Sequence, residues 1–123
     1  MKTVVIGAST NPERYSYKAV NMLLQYKYEV VPFGIKKGAI SGIEIINEKI
    51  PVKDVHTVTM YVGKDRQEEY YDYIINILKP KRIIFNPGTE NDKLVNLARE
   101  KNIETHNYCT LVLLSTGQYT QYT

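Results

Sequence analysis

Short apolar runs alternate along the chain with stretches of helical period. The apolar runs predict strands at about 2–7, 29–33, 57–62, 82–86 and 103–106, each rich in Val, Ile, Thr, Tyr or Phe. Between the first two, Ala19, Val20, Leu23 and Leu24 share one face of a helix from Ser16 to Lys27. A second helix is expected after Asp65, where Asp65 and Glu68 have capping-box spacing; its apolar face is Tyr71, Ile74, Ile75 and Leu78, and Pro80 stops it. A third begins near Thr89, with Asp92 at the same spacing, presents Leu94, Leu97 and Ala98, and ends at Asn102, a residue suited to a left-handed cap. A last short helix is expected over 108–116. Residues 34–56 hold three of the seven glycines and read as a loop with a short irregular segment at Ile43 to Ile46.

Strands that alternate with helices imply a parallel sheet covered on both faces, because parallel neighbours need a crossover and the crossover is right-handed. The expected fold is α/β, Rossmann-like and doubly wound, with a mostly parallel five-stranded sheet. In such sheets ligands sit beyond the carboxyl ends of the strands, where the winding reverses. The residues of interest therefore follow the strands.

The chain has 123 residues, which suits a single domain over 1–123, and 43% of them are hydrophobic, ample for a core. A net charge of +3 without a long basic block argues against nonspecific nucleic-acid binding and suits an anionic small molecule. The lone Cys109 makes no internal disulfide, the chain opens on a strand where a signal sequence would differ, and no apolar run nears the ~20 residues that span a bilayer. A cytoplasmic protein without membrane contact is expected.

The first strand breaks into Gly7, Ala8, Ser9, Thr10, Asn11 and Pro12 before the first helix. Gly7 permits a tight turn, the small residues admit a ligand to the backbone, and the N–H groups of the helix's first turn stay free to face a phosphate. The same order also serves simply to turn the chain of a βα unit. An NAD site adds Gly-x-Gly-x-x-Gly and a carboxylate at the end of the second strand, and both are missing. Glu29 lies at the start of that strand, whose end reads Pro32, Phe33, Gly34, Ile35, Lys36, Lys37. Two lysines there suit a phosphate on the ribose, which NADP and coenzyme A (CoA) both carry. They serve equally well as solvated loop residues.

The order of these motifs carries a resemblance. Val5 to Tyr17 with its Gly7-Ala8-Ser9-x-Asn11-Pro12-Glu13-Arg14-x-Ser16, then Tyr28 to Pro32, Gly42-Ile43, and Asn107-x-Cys109, over residues 3–115, is similar to the small stand-alone CoA-binding proteins of bacteria. These are related to the CoA-binding domain of the succinyl-CoA synthetase α subunit. The resemblance implies noncatalytic binding of coenzyme A or an acyl-CoA. It places the diphosphate on Gly7, Ala8, Ser9 and Thr10 with Arg14 and Ser16 nearby, and the adenosine and its 3′-phosphate at Pro32, Phe33, Lys36 and Lys37. The pantetheine arm passes Val62, Gly63 and Lys64, and Asn86, Pro87 and Gly88 stand where the synthetases carry a Thr-Glu-Gly turn, from which this sequence departs. An NADP-binding oxidoreductase is the competing reading, although no Tyr-x-x-x-Lys pair is present. A CoA-site subunit of a separate acyl-CoA ligase is another.

No catalytic residue is expected. The phosphorylated histidine of the synthetases and their grasp-type partner lie outside the CoA-binding domain. His56 precedes a strand, away from the ligand edge, and His106 lies at that edge without the spacing of a nucleophile pair. Cys109 reads as a small hydrophobe, since no cation adjoins it in sequence to favour the thiolate. Two histidines and one cysteine form no metal-ligand spacing, and Glu68, Glu69 and Asp72 read as acidic first turns of a helix. A receiver domain is excluded because Ile6-Gly7-Ala8 stands where its acidic pair would. Tyr70, Tyr71 and Tyr73 cannot all point inward from one regular helix, which raises a homodimer face or an unknown protein partner beside partial exposure of the rings. The polar tail from Gly117 to Thr123 is expected to fray.

Overall fold

The computed structural model describes residues 1–121. In chain order the strands are β1 (Lys2–Ile6), β2 (Glu29–Phe33), β3 (Ala39–Ile40), β4 (Ile43–Glu44), β5 (Val55–Met60), β6 (Arg82–Phe85) and β7 (Glu104–His106). The α-helices are α1 (Tyr15–Gln25), α2 (Asp92–Glu100) and α3 (Thr110–Ser115). Five strands form one parallel sheet in the order β2-β1-β5-β6-β7, and β3 and β4 form a two-stranded hairpin. The expected α/β architecture is therefore present. The irregular segment at Ile43 to Ile46 contains half of the hairpin, and beyond it Ile46 pairs with the end of β2: its N–H donates to the Pro32 carbonyl at 2.9 Å, and Gly34 N–H donates to its carbonyl at 3.0 Å. With this bridge counted as a rudimentary strand outside β2, the order is that of dinucleotide-binding sheets, 3-2-1-4-5-6.

Both faces of the sheet are covered, so its strands are apolar throughout. Val5 and Ile84 pack against Val20 and Leu23 of α1 and Leu113 and Leu114 of α3. Val4, Ile6, Met60 and Phe85 face the other way, onto Tyr73, Ile74 and Leu78 and onto Leu94 and Ala98 of α2. Asn102 takes the expected left-handed conformation after α2, with φ 59°. The helix's cap is Asn91, which accepts from Leu94 N–H at 3.2 Å, rather than Thr89, whose side chain donates to the Asn86 carbonyl.

Three expectations need correction. β5 begins and ends two residues earlier than the apolar run suggested, because its register with β1 pairs Met60 with Ile6 and both strands stop there. His56 consequently lies inside β5, half-buried near its amino end. The single helix expected after Asp65 is instead a 3₁₀ turn at Lys64–Arg66, a second at Glu68–Tyr70, and a π-helix at Tyr73–Leu78. Asp65 caps nothing, and Gly63 stands at the N-cap. The wide π turn lets Tyr73, Ile74, Ile75 and Leu78 all face the sheet, with Lys79 N–H bonded to the Ile74 carbonyl five residues back. Tyr70 is buried too, and Tyr71 is half-buried with its hydroxyl accepting from Asn91. The three tyrosines thus find places inside the chain, and the crowding that suggested a partner does not arise.

The tail is the third correction. Tyr119 is 2% exposed, and its hydroxyl shares a 2.5 Å hydrogen bond with Thr3 Oγ1. Its ring lies 4.9 Å from that of Tyr28 and 4.5 Å from the guanidinium of Arg82, whose Nε donates to Thr57 Oγ1 at 2.8 Å. Tyr122 and Thr123 lie outside the described residues.

Tyr119→Ala should cost about 3–5 kcal/mol, the usual loss for a buried aromatic side chain, as measured by denaturant unfolding. Alkali gives a second test. Burial raises the pKa of Tyr61, Tyr70, Tyr73 and Tyr119 above that of free tyrosine. The folded chain then holds protons that the unfolded chain gives up, so the tyrosines' contribution to stability should be constant below about pH 10 and be lost above it. Unfolding midpoints at pH 8, 10 and 11 measure that decline.

Candidate functional site

The winding reverses between β1 and β5, and the crevice beyond their carboxyl ends is where an α/β sheet receives a ligand. The wall on the β1 side is held by a single acceptor. The Phe33 carbonyl takes the N–H groups of both Gly7 and Ala8, each at 2.9 Å. Gly7 has φ 97°, and a Cβ there would lie 3.0 Å from the backbone of Tyr61. A Cβ on Gly34 would overlap the Ala8 carbonyl oxygen, and one on Gly38 would come within 2.6 Å of Thr10 Cγ2. The segment 34–38 therefore curls directly over Ala8 to Thr10. It carries Ile35, Lys36 and Lys37 exposed on the rim, and neither lysine has a hydrogen bond or ion pair among the described residues.

Because Gly7 and Ala8 spend their amides on Phe33, the donors open to a ligand begin later. The N–H groups of Ser9 and Thr10 have no acceptor among the described residues. Asn11 N–H donates to Ser9 Oγ at 3.1 Å, and Glu13 N–H donates to Asn11 Oδ1 at 3.0 Å, which locks the turn into α1. Arg14 is the N-cap of α1 and supplies no side-chain cap, and the first turn holds no acidic residue. The leading amides of α1 thus point out of the helix uncompensated, where partial positive charge attracts an anion. Ser16 is buried in that turn.

The remaining candidates divide into inward and outward groups. Pro32 and Phe33 are buried, and the Phe33 ring packs on Tyr73 at 5.2 Å and Tyr70 at 5.9 Å, so this pair shapes the site through its backbone. Val62 is buried, Gly63 is half-buried, and Lys64, Pro87 and Gly88 are exposed beside the crevice. Asn86 is 3% exposed and fully committed inside. Its Nδ2 donates to Thr59 Oγ1 at 2.7 Å and to the Met60 carbonyl at 2.8 Å, and its Oδ1 accepts from Thr110 N–H at 2.8 Å, which ties β5, β6 and α3 together. The Tyr61 hydroxyl lies beside Thr59, Thr110 and Cys109 without a well-formed hydrogen bond, and burial holds it far above the usual tyrosine range.

His106 ends the outermost strand, about 14 Å from β1 at three strand spacings. It stacks on Tyr108, and its Nε2 lies 3.6 Å from Glu104. His56 Nδ1 pairs with Thr57 Oγ1 at 2.8 Å near the opposite sheet edge. Burial, then the charges of Arg82 and Lys81, lower its pKa. Among the described residues no three His, Cys, Asp or Glu side chains cluster to hold a metal, and no helix is long and apolar enough to cross a membrane. A cavity of about 760 Å³ opens at the amino-terminal edge beside His56, Lys79, Lys81 and Lys101. Lys79 and Lys101 follow the carboxyl ends of the π-helix and α2, where cations balance the helix carbonyls, and this hollow faces away from Gly7.

Gly34, Gly38, Gln67 and Asn91 shape the crevice and were not singled out from the sequence. The two glycines follow a proline in a stretch that reads as an ordinary loop, and Gln67 falls within what reads as a solvated helical turn.

Comparison with known proteins agrees with this geometry. A crystal structure of an uncharacterized protein superposes with a TM-score of 0.91 at 45% identity, covering 95% of this chain and 96% of that one. A hypothetical protein from Pyrococcus horikoshii OT3 has a TM-score of 0.82 at 24% identity, covering 93% and 81% of the two chains. The dinucleotide forming acetyl-coenzyme A synthetase 1 of Ca. Korarchaeum cryptofilum, in complex with phosphate and ADP, shares the fold at 19% identity and a TM-score of 0.73; the match covers 87% of this chain and 25% of that one. The search of curated proteins found no match. A family model described as a CoA binding domain matches residues 1–115, nearly the full length of the sheet and its helices, and the chain belongs to that family.

Proposed function

We propose that the chain, acting as one domain over 1–123, binds coenzyme A or an acyl-CoA without catalysing a reaction on it. The observation that carries this reading is the uncapped start of α1 behind the Gly7 turn, at the switch point of a sheet from a CoA-binding family. The diphosphate rests against the Ser9 and Thr10 amides and the first turn of α1, and Arg14 adds positive charge. Glu13 is the one carboxylate between residues 7 and 18, so little in the sequence there opposes an anion. The segment 34–38 sets Lys36 and Lys37 beside the adenosine end, where they meet the 3′-phosphate. The arm then crosses the crevice past Val62, Gly63 and Lys64 and alongside Pro87 and Gly88, with Asn86 bracing the floor beneath.

CoA should raise the melting temperature and NAD should not, since a ligand that binds the folded state alone stabilises it by mass action. A larger shift with NADP than with CoA would overturn this reading in favour of the oxidoreductase class. The lysines give a sharper test. CoA and dephospho-CoA differ by the 3′-phosphate, so wild type should prefer CoA, and the Lys36→Ala, Lys37→Ala double variant should lose most of that preference. An exposed charge pair contributes about 1 kcal/mol, several-fold in affinity, and weakens with salt. Calorimetric titration of both ligands against both proteins isolates the phosphate–lysine coupling. Equal losses for the two ligands would remove the lysines from the adenosine end.

A further inference from the structure

Gln67 is completely buried, and its side-chain amide is fully used. Nε2 donates to the Val62 carbonyl at 2.8 Å and to the Thr89 carbonyl at 2.7 Å, and Oε1 accepts from Asn91 Nδ2 at 3.0 Å. Two carbonyls can only accept, so the amide has one allowed orientation, with both protons spent on main chain. Asn91 continues the network. Its Nδ2 also donates to the Tyr71 hydroxyl at 2.8 Å, and its Oδ1 caps α2 at Leu94.

The two bridged carbonyls belong to different rims of the crevice, one just after β5 and one in the turn after β6. Each rim carries a glycine, Gly63 and Gly88, whose surroundings are open: a Cβ at either would meet no atom within 4 Å. Neither rim is therefore held by packing at its glycine, and the Gln67 amide joins them from beneath. The same bond pattern accounts for the break between the two 3₁₀ turns. Tyr70 N–H restarts the chain on the Gln67 carbonyl at 2.8 Å, while the Gln67 side chain turns under Val62.

We propose that Gln67 is a positioning residue for the arm-binding half of the crevice: it sets the separation of the rims at Gly63 and Gly88, between which the pantetheine arm of the ligand lies. This rests on the CoA reading above. Removing the clamp frees two buried carbonyls to seek water and lets the rims part, while the Gly7 loop and the lysine rim, fixed through Phe33 and Gly34, stay as they are.

The test compares CoA with adenosine 3′,5′-bisphosphate, which carries the nucleotide end without the arm. Gln67→Met keeps the length of the side chain and deletes its hydrogen bonds. The expected result is a loss of tenfold or more in CoA affinity with the bisphosphate changed by less than twofold. Ile103→Val, a core truncation away from the clamp, should leave the ratio of the two affinities at the wild-type value. Should Gln67→Met fail to fold, Tyr71→Phe decides the matter, because it loosens Asn91 alone and should shift the same ratio in the same direction by a smaller factor. An unchanged ratio in a folded variant overturns the positioning role and leaves the CoA reading standing. Absence of CoA binding by wild type overturns the reading beneath it, and the positioning role with it.

Discussion

One carbonyl organises the ligand edge of this protein. Phe33 O receives the amides of Gly7 and Ala8 at the point where β1 and β2 end, and this pins two loops to each other across neighbouring strands. The contact is possible because residue 34 has no Cβ, which would otherwise occupy the place of the Ala8 oxygen. A carbonyl bonded twice at full burial is well satisfied, and its cost falls on the loop: the first two amides after β1 are removed from the pool of donors. The donors that the turn leaves open therefore begin at Ser9, Thr10 and the start of α1. A loop of small residues thus becomes directional, with a closed end at the sheet and an open end at the helix.

That distinction explains what was legible in the chain. The order of strands and helices follows from apolar runs such as Val4 to Ile6 and Ile83 to Phe85, which are buried on both faces of the sheet. The Gly7 turn was visible because a positive φ beside a strand end favours one residue type. Which amides of that turn remain free was not visible, because it depends on Phe33, a residue 26 positions later by the numbering of the chain. Lys36 and Lys37 were legible as charge, and Gly34 and Gly38, which bring that charge over Thr10, were not. Their role is set by what they meet across a loop contact, and sequence spacing carries no record of it.

The failure after Asp65 has a different physical source. Periodicity alone favours a continuous helix there, and capping-box spacing at Asp65 and Glu68 agrees. Two tertiary demands override it: Gln67 must reach carbonyls on both sides of the crevice, and Tyr73, Ile74, Ile75 and Leu78 must all cover the sheet. A regular turn of 3.6 residues spreads four such positions around too much of the helix for all of them to face one surface. The chain answers with tight turns before Tyr71 and a wide one after it, and local propensity yields to the summed burial of the tyrosine and aliphatic side chains. Tyr119 makes the same point in the tail, where a polar composition hides one ring that closes the core beside Tyr28 and Arg82.

The polar residues buried at the ligand edge divide by what they restrain. Asn86 spans the ends of β5 and β6 and the start of α3, so it fixes the floor of the crevice relative to the sheet. Gln67 and Asn91 span the loops above that floor. Neither group bonds to the Gly7 turn, which is held by the Phe33 carbonyl, by the close approach of Tyr61 and by the Ser9 and Asn11 side chains. The crevice is accordingly built as two halves braced in different ways, one by main-chain bonds and missing Cβ atoms, the other by side-chain amides, and they meet where Gly7 lies against Tyr61. A ligand with a rigid, charged end and a long flexible arm matches this division. The charged end needs amides already in place, and the arm, which pays more conformational entropy on binding, gains most from a channel whose width is fixed beforehand.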